Sequence, residues 1–129
     1  MARKFQNLKI YKLSYTFLLN IYKILPLLPE SETRNIYSQL QRAATSIVLN
    51  IVEGCANRSN KVFLNHLQYS YGSCKEVNVL LLLINDLNYI SEDSSQSLLM
   101  GLDELTANLY RFMQAIEKEI GGYKVNYTI

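Results

Sequence analysis

Few side chains of this chain could act as a nucleophile, a general base or a metal ligand, and they are scattered. His66 is the one histidine, and there is no Glu-x-x-His pair of the kind that holds two iron ions between facing helices. Neither Cys55 nor Cys74 is followed by a histidine or a second cysteine at metal-ligand spacing. No glycine-rich loop of the Walker or dinucleotide type occurs. The sequence therefore predicts no catalytic residue, no metal site, no cofactor and no small-molecule substrate, in a protein that is not an enzyme.

In the middle of the sequence, small and polar residues interrupt an apolar helical pattern. Ala43, Ala44, Ser46, Asn50 and Glu53 stand where a plain core helix would carry leucine or isoleucine. Small side chains let another helix approach closely, and amides and carboxylates can hydrogen-bond across the contact. A carboxylate buried there would need a donor, because an unpaired buried charge is costly. We interpret the pattern as a packing signature between helices or subunits, formed by Gln39, Ser46, Asn50, Glu53, Gly54, Gly72 and Ser73.

The length of 129 residues is enough for one domain with its own hydrophobic core. We predict a single domain over residues 1–122, followed by an irregular tail over 123–129. The longest apolar run, 79–84, is far shorter than the roughly 20 residues that a membrane span needs, so we expect no contact with a membrane. Two cysteines without a pairing pattern and the lack of a signal-like start indicate a reduced, cytoplasmic protein.

Hydrophobic periodicity predicts four long helices joined by short connections. Pro26 ends the first helix, and the acids and Ser31 that follow Pro29 suit the start of the second. The fold class is therefore all-α, an antiparallel up-down-up-down four-helix bundle. The predicted helices run from Gln6 to Leu25, from the 29–32 turn to a stop at Gly54, from a cap at Ser59 to about Asn88, and from Ser91 or Ser94 to Gly121-Gly122.

The first helix carries two apolar stripes, which lie about 140° apart at 100° per residue. One stripe can face the core of a single bundle, so the other needs a further surface to cover it. The third helix is apolar nearly all round after Glu76, which again indicates burial on two sides. We therefore predict a homo-oligomer. One stripe of the first helix contains Leu8, Tyr11, Tyr15, Leu18, Tyr22 and Leu25, and the other contains Ile10, Leu13, Phe17, Ile21 and Ile24.

The net charge is only +2, but residues 1–29 hold five cations and no acid. Such a segment suits an anionic partner such as RNA, and an oligomer would repeat its basic surface. Phosphate contacts of this kind would be independent of base sequence and sensitive to salt. No recognised nucleic-acid motif accompanies them, and an ordinary solvated helix face explains the same charges. The candidate contact residues are Lys9, Lys12, Lys23, Arg34, Arg42, Arg58 and Lys61.

Taken together, these motifs resemble the bacterial four-helix-bundle family called 23S rRNA intervening-sequence proteins, over most of residues 5–120. Gln41 stands where the family often has a second basic residue, which weakens the case for nucleic-acid binding, and Val48-Leu49 stands where it often has a proline. The resemblance is carried by Gln39-x-x-Arg42-Ala43-Ala44-x-Ser46-Ile47-x-x-Asn50-Ile51-x-Glu53-Gly54, then Arg58-Ser59, Phe63 and Gly72-Ser73-x-x-Glu76.

The resemblance implies a homopentameric ring of antiparallel bundles, and it establishes no activity, because the family's name records where some of its genes lie. A related branch is the accessory protein of diversity-generating retroelements, a basic pentamer that engages a reverse transcriptase and nucleic acid. This chain is far less basic than that branch requires.

Three hypotheses remain at this point. The leading one is a non-enzymatic, cytoplasmic oligomer that binds RNA or a ribonucleoprotein through its basic residues. The second is a protein-interaction scaffold whose charges serve only solubility. The third is a reverse-transcriptase accessory protein of a retroelement.

Overall fold

The computed structural model describes residues 3–121, and this part of the chain contains four α-helices and no strand. None of the described helices combines the length and the apolarity that crossing a membrane requires. Short 3₁₀-helices lie at Phe5–Asn7, Leu25–Leu27 and Glu30–Glu32. The four helices are α1 (Lys9–Ile24), α2 (Ile36–Cys55), α3 (Asn60–Asp86) and α4 (Glu92–Ile120).

The helices form a closed bundle in which α1 packs on α2, α2 on α3, α3 on α4 and α4 on α1. The Arg3 amide donates to a carbonyl at the end of α2 over 3.3 Å, and the Asn60 side chain donates to the Glu119 carboxylate over 3.2 Å. The start of α1, the α2–α3 connection and the end of α4 therefore share one end of the bundle. At the other end, the Tyr89 hydroxyl donates to the Glu32 carboxylate over 2.8 Å. The predicted all-α, up-down-up-down bundle is confirmed.

Leucine, isoleucine and phenylalanine side chains fill the centre of the bundle. Phe63, Leu67 and Leu105 are among those that are fully buried. On α1 the buried stripe is the one that contains Phe17 and Ile21. The tyrosine-rich stripe is exposed at Tyr15 and Tyr22, but its last residue, Leu25, is buried in the core. Burying one such side chain stabilises the fold by about 1.5–3 kcal/mol, so this inward layer is the main source of stability.

Serine caps begin two of the helices, as the sequence predicts. Ser59 Oγ accepts the Val62 amide at the start of α3, and Ser91 Oγ accepts the Ser94 amide at the start of α4. Each cap satisfies one amide of a first helical turn that has no partner within the helix. The bounds of α1 and α3 lie within three residues of the predicted ones.

The second helix begins later than predicted, and Ser31 is not its cap. The chain first makes a 3₁₀ turn at Glu30–Glu32, and Asn35 then has a φ of −125° and a ψ of −99°, which are not helical. The Thr33 hydroxyl donates to the Glu30 carbonyl over 2.8 Å. Short polar side chains that bond to nearby backbone compete with helix formation, so this acidic segment becomes a connection.

The two predicted glycine stops have different outcomes. Gly121 ends α4 with a φ of +70°, a left-handed conformation that glycine adopts without strain. Gly54 does not end α2, because the helix continues through it to Cys55. Gly122 and the predicted irregular tail, 123–129, lie outside the described residues.

Candidate functional site

Hydrogen bonds within α2, and between α2 and α3, join several polar residues of the packing signature. Ser73 Oγ donates to Ser46 Oγ over 3.0 Å, and Asn50 Nδ2 donates to the Ser46 carbonyl and hydroxyl over 3.0 and 3.1 Å. Asn50 Oδ1 lies 3.1 Å from His66 Nδ1. Because an amide oxygen only accepts hydrogen bonds, the imidazole is the donor through Nδ1–H. Ser46, Asn50 and Ser73 thus lie in the contact between two helices of the same subunit, and His66 belongs to it.

Two other residues of the packing signature lie outside this contact. Gln39 is exposed, and its side chain donates to Asn35 Oδ1 over 2.7 Å near the start of α2. Glu53 is exposed, with its carboxylate 3.9 Å from His66 Nδ1, so it is not the buried charge that the sequence suggested. A helical wheel gives only the direction of a side chain around its helix. It does not show which turns of α2 are covered by α3, and this is why Gln39 and Glu53 were grouped with the buried residues.

Gly54 allows α3 to approach α2 closely. A Cβ at this position would lie 2.8 Å from Phe63 Cδ1 and 2.9 Å from His66 Cβ, and both distances are shorter than real contacts allow. The position is buried inside the helix, and the glycine is required by packing rather than by chain termination.

Gly72 faces outward from α3, and no described atom beyond the local helix backbone and the two neighbouring residues lies within 4 Å of the place where its Cβ would be. A glycine inside a helix costs about 1 kcal/mol relative to alanine. No contact within the described chain explains this cost, so the close approach predicted at Gly72 is not made inside one subunit. A contact between subunits at this position stays a prediction.

Two lines of side chains on the outside of the bundle leave apolar groups exposed. On α1, Tyr15, Leu19 and Tyr22 are 46%, 48% and 45% exposed, and they form the tyrosine stripe. On α3, Tyr69 and Val79 are each 65% exposed in a line with heptad spacing. This second line, the glycine stripe, consists of Val62, Asn65, Tyr69, Gly72, Glu76, Val79, Leu83 and Asp86.

Between the two stripes, the outer face of α2 forms a shallow groove of about 620 Å³ with short side chains such as Ser38 in its lining. The Gln41 side chain donates to the Tyr22 hydroxyl over 3.0 Å, so the tyrosine stripe leans toward α2. Arg42 donates to the Glu76 carboxylate over 2.9 Å, which links the glycine stripe to the same helix. Both stripes are therefore turned toward the α2 side of the bundle.

The seven predicted contact cations do not form one patch. Lys9 and Lys12 line a cleft of about 390 Å³ between α1 and α4, and Glu104 also lines it. Lys23 lines a neighbouring cleft together with Asp93. An anionic partner in either cleft would meet a carboxylate as well as the lysines. The three lysines of α1 therefore form a poor phosphate site.

The other four predicted cations lie on different parts of the surface. Arg42 forms an exposed ion pair, a contact that contributes about 0–1 kcal/mol and would compete with a phosphate. Arg34 is exposed in the connection before α2. Arg58 and Lys61 are exposed together at the α2–α3 connection, at the opposite end of the bundle.

Sequence reasoning missed Arg3. Its guanidinium lies over the Phe63 ring at 4.1 Å from the centroid, and it donates to the Asn57 carbonyl over 2.6 Å and to the Asn60 side chain. These contacts tie the segment before α1 across the α2–α3 connection. No local motif marks the role, because the partners lie more than 50 positions away in sequence.

Both cysteines are free thiols that are buried in the bundle. Burial raises the pKa of the Cys74 thiol to about 12, and it also raises the pKa of Cys55, because a buried thiolate is poorly solvated. The thiolate is the reactive form. We therefore expect the folded protein to resist a thiol reagent at pH 8 and the denatured protein to react quickly. Rapid modification of either thiol in the native protein, counted by mass spectrometry, would contradict this placement.

The polar groups near His66 are suited to hydrogen bonding. They are the Asn50 amide, the Glu53 carboxylate and the serine hydroxyls beyond them. Within residues 3–121, no three side chains of histidine, cysteine, aspartate and glutamate lie close enough together to share a metal ion. The arrangement can hold two helices together and offer polar groups to a partner at the rim of the groove.

The fold is similar to that of a solved protein from Bacteroides thetaiotaomicron VPI-5482, described as a protein with unknown function from the S23 ribosomal protein family. The alignment has a TM-score of 0.75 and covers 81% of this chain and 95% of that chain, with 23% sequence identity. An identity this low supports the shared fold alone. No curated protein matches the chain significantly.

The sequence also matches the family model described as 23S rRNA-intervening sequence protein over residues 6–111. This range includes the whole of α1, α2 and α3, most of α4, and both exposed stripes. The chain therefore belongs to the 23S rRNA-intervening sequence protein family.

Proposed function

We propose that this protein is a non-enzymatic subunit of a homo-oligomeric ring, in which the tyrosine stripe of one copy packs on the glycine stripe of the next. The observation that carries the proposal is the presence of two separate apolar lines on one small bundle. Tyr15, Leu19 and Tyr22 on one side and Tyr69 and Val79 on the other are too exposed to contribute much to the core. Contiguous exposed apolar surface of this kind is characteristic of interaction sites.

The two stripes complement each other in shape and charge. Gly72 leaves a recess in the middle of one stripe, where a tyrosine or leucine of a neighbouring copy can lie close to the helix backbone. Lys12 and Lys23 flank the tyrosine stripe, whereas the glycine stripe ends at Asp86, and its Glu76 pairs with Arg42 of the same subunit. Opposite charges at the edges of an interface favour one register over others.

The position of the stripes favours a closed ring. They are different surfaces on α1 and α3, so their contact is heterologous, and repetition of such a contact gives a ring or a filament. Because both stripes lean toward α2, the two interfaces of a subunit make an angle of less than 180° with each other, which supports closure with α2 facing the ring centre. The family resemblance implies five subunits.

RNA binding is a second candidate function, and the dispersed cations on α1 and α2 do not support it. The separation of charge between the two ends of the bundle does favour it. A purely protein-binding scaffold needs only the stripes. The retroelement accessory role has no support beyond the resemblance. The two free, buried thiols suit a reducing compartment such as the cytoplasm.

The test is the molar mass of the full chain by light scattering over a range of concentrations. We expect a multiple of the 14.9 kDa subunit. In the Leu19→Glu variant a carboxylate stands in the middle of the tyrosine stripe, and we expect a folded monomer with an unchanged helical circular dichroism spectrum. A wild-type protein that stays monomeric at about 100 µM would overturn the proposal, since assembly is favoured at high concentration.

A further inference from the structure

The charged residues of the bundle are segregated between its two ends. The basic end is the one where the start of α1, the α2–α3 connection and the end of α4 meet. Among the described residues, seven cations and three acids lie within about one helical turn of it, a net charge of +4. The cations are Arg3, Lys4, Lys9, Lys12, Arg58, Lys61 and Lys118, and the acids are Glu53, Glu117 and Glu119.

The opposite, acidic end has the reverse balance, with two cations and five acids and therefore a net charge of −3. The small net charge of the whole chain conceals this separation. The two cations are Lys23 and Arg34, and the five acids are Glu30, Glu32, Asp86, Glu92 and Asp93.

We propose that the basic end binds the phosphate backbone of a nucleic acid, with Arg58 and Lys61 as its principal contacts. Arg58 lies exposed in the α2–α3 connection, where its guanidinium can form two parallel hydrogen bonds with a phosphate. Lys61 lies exposed in the first turn of α3, whose amino-terminal dipole is also positive. Glu119, an acid at the same end, accepts a hydrogen bond from Asn60.

The strength of this binding rests on the proposed ring. In a ring, each subunit is related to the next by a rotation about the ring axis, so all the bundles point the same way along that axis. Subunits that pack side by side through their stripes therefore present every basic end on the same face of the ring. One end with a charge of +4 binds phosphate weakly, whereas a repeated end releases many counterions and binds a polyanion in a salt-dependent way.

The polar character of the basic end favours a phosphate backbone over a protein partner. Among the described residues there, Val62 is the one large apolar side chain with marked exposure, at 37%. A stable protein interface usually has an apolar centre, whereas nucleic-acid contacts are polar, charged and hydrated. The acidic end of another copy is the competing occupant, and it is an outcome of the test.

The test measures binding of the full chain to a fluorescent single-stranded RNA of about 30 nucleotides, by anisotropy at about 50 and 200 mM NaCl. We expect the affinity of the wild type to fall at least about tenfold between these salt concentrations. The Arg58→Glu/Lys61→Glu variant should bind at least about tenfold more weakly at low salt. Its fold should survive, because Arg58 is in a connection and glutamate suits the first turn of a helix.

The matched control is Arg34→Glu/Arg111→Glu, which makes the same change in net charge at two exposed sites outside the basic end and outside both stripes. It should bind RNA within about threefold of the wild type, since its sites lie far from the proposed contact. Equal losses in both variants would show that net charge alone acts, and would overturn the assignment to the basic end. Unchanged binding by Arg58→Glu/Lys61→Glu would also overturn it.

Light scattering of the same samples separates this inference from the ring. Wild-type rings that do not bind RNA at low salt would overturn the basic-end proposal and leave the ring intact. If the wild type is monomeric, the ring fails, and the basic end is still judged by the difference between the two variants. Growth beyond one ring without RNA, abolished by Arg58→Glu/Lys61→Glu, would assign the charged ends to stacking between copies and overturn the phosphate proposal.

Discussion

The Gly72→Glu variant is expected to be a folded monomer. Nothing within the described chain lies within 4 Å of the new Cβ, and loss of a mid-helix glycine favours α3 by about 1 kcal/mol. Between subunits, however, the glutamate would fill the recess of the glycine stripe and place a carboxylate against apolar side chains, where burial of a charge costs several kcal/mol. Light scattering should therefore give 14.9 kDa, with an unchanged helical circular dichroism spectrum.

The matched control for this variant is Met100→Glu. Met100 lies on α4, is 70% exposed and belongs to neither stripe. A carboxylate at this position should leave the assembled mass as it is in the wild type. If Gly72→Glu keeps the wild-type mass, or if Met100→Glu dissociates the protein equally, then the glycine stripe is not the interface.

The Gly54→Ala variant is expected to lower the free energy of unfolding by roughly 1–3 kcal/mol, the usual cost of overpacking. The new methyl group would meet Phe63 Cδ1 at 2.8 Å and His66 Cβ at 2.9 Å. The Phe63 ring is fully buried, and a Cβ atom is fixed by its backbone, so neither neighbour can move away cheaply. Urea unfolding followed by circular dichroism measures the change.

The same substitution at Gly72, a helical glycine that faces outward, is the control. Gly72→Ala meets no atom of the described chain, and it should raise the free energy of unfolding by about 1 kcal/mol through helix propensity. Both variants should be made in the monomeric Leu19→Glu background, so that dissociation does not contribute to the unfolding free energy. A stabilised Gly54→Ala protein would show that α2 and α3 do not approach as closely as the structure has them.

The helices and their caps could be predicted because they depend on local chemistry. Apolar side chains at helical spacing identified all four helices, and Ser59 and Ser91 marked the starts of α3 and α4 through single hydrogen bonds to nearby amides. The two stripes of α1 were visible for the same reason. The sequence could not say which stripe is buried, because that depends on what the other three helices present to it.

The features that depend on tertiary contacts were not predictable. The start of α2 was misplaced because acids and Ser31 resemble a helix start, whereas the 3₁₀ turn at Glu30–Glu32 is held by contacts such as the Tyr89 hydrogen bond to Glu32. Gly54 and Gly72 look alike in the sequence, yet one contacts a buried ring and the other faces outward.

The candidate site was foreseen in part. Ser46, Asn50 and Ser73 were recognised because polar residues in an apolar pattern need partners, and their hydrogen bonds lie across α2 and α3. The grouping of the cations was not foreseen. A basic end is formed by Arg3, Arg58 and other residues that come together only when three separate segments meet.

The central claim is that two different stripes form one repeating interface, and mixing two defective variants tests it most directly. Leu19→Glu keeps an intact glycine stripe, and Gly72→Glu keeps an intact tyrosine stripe. Each alone should be a monomer, and an equimolar mixture should form a dimer of about twice the 14.9 kDa subunit mass, because only one good interface can form. A mixture that stays monomeric, or variants that still assemble alone, would contradict the account.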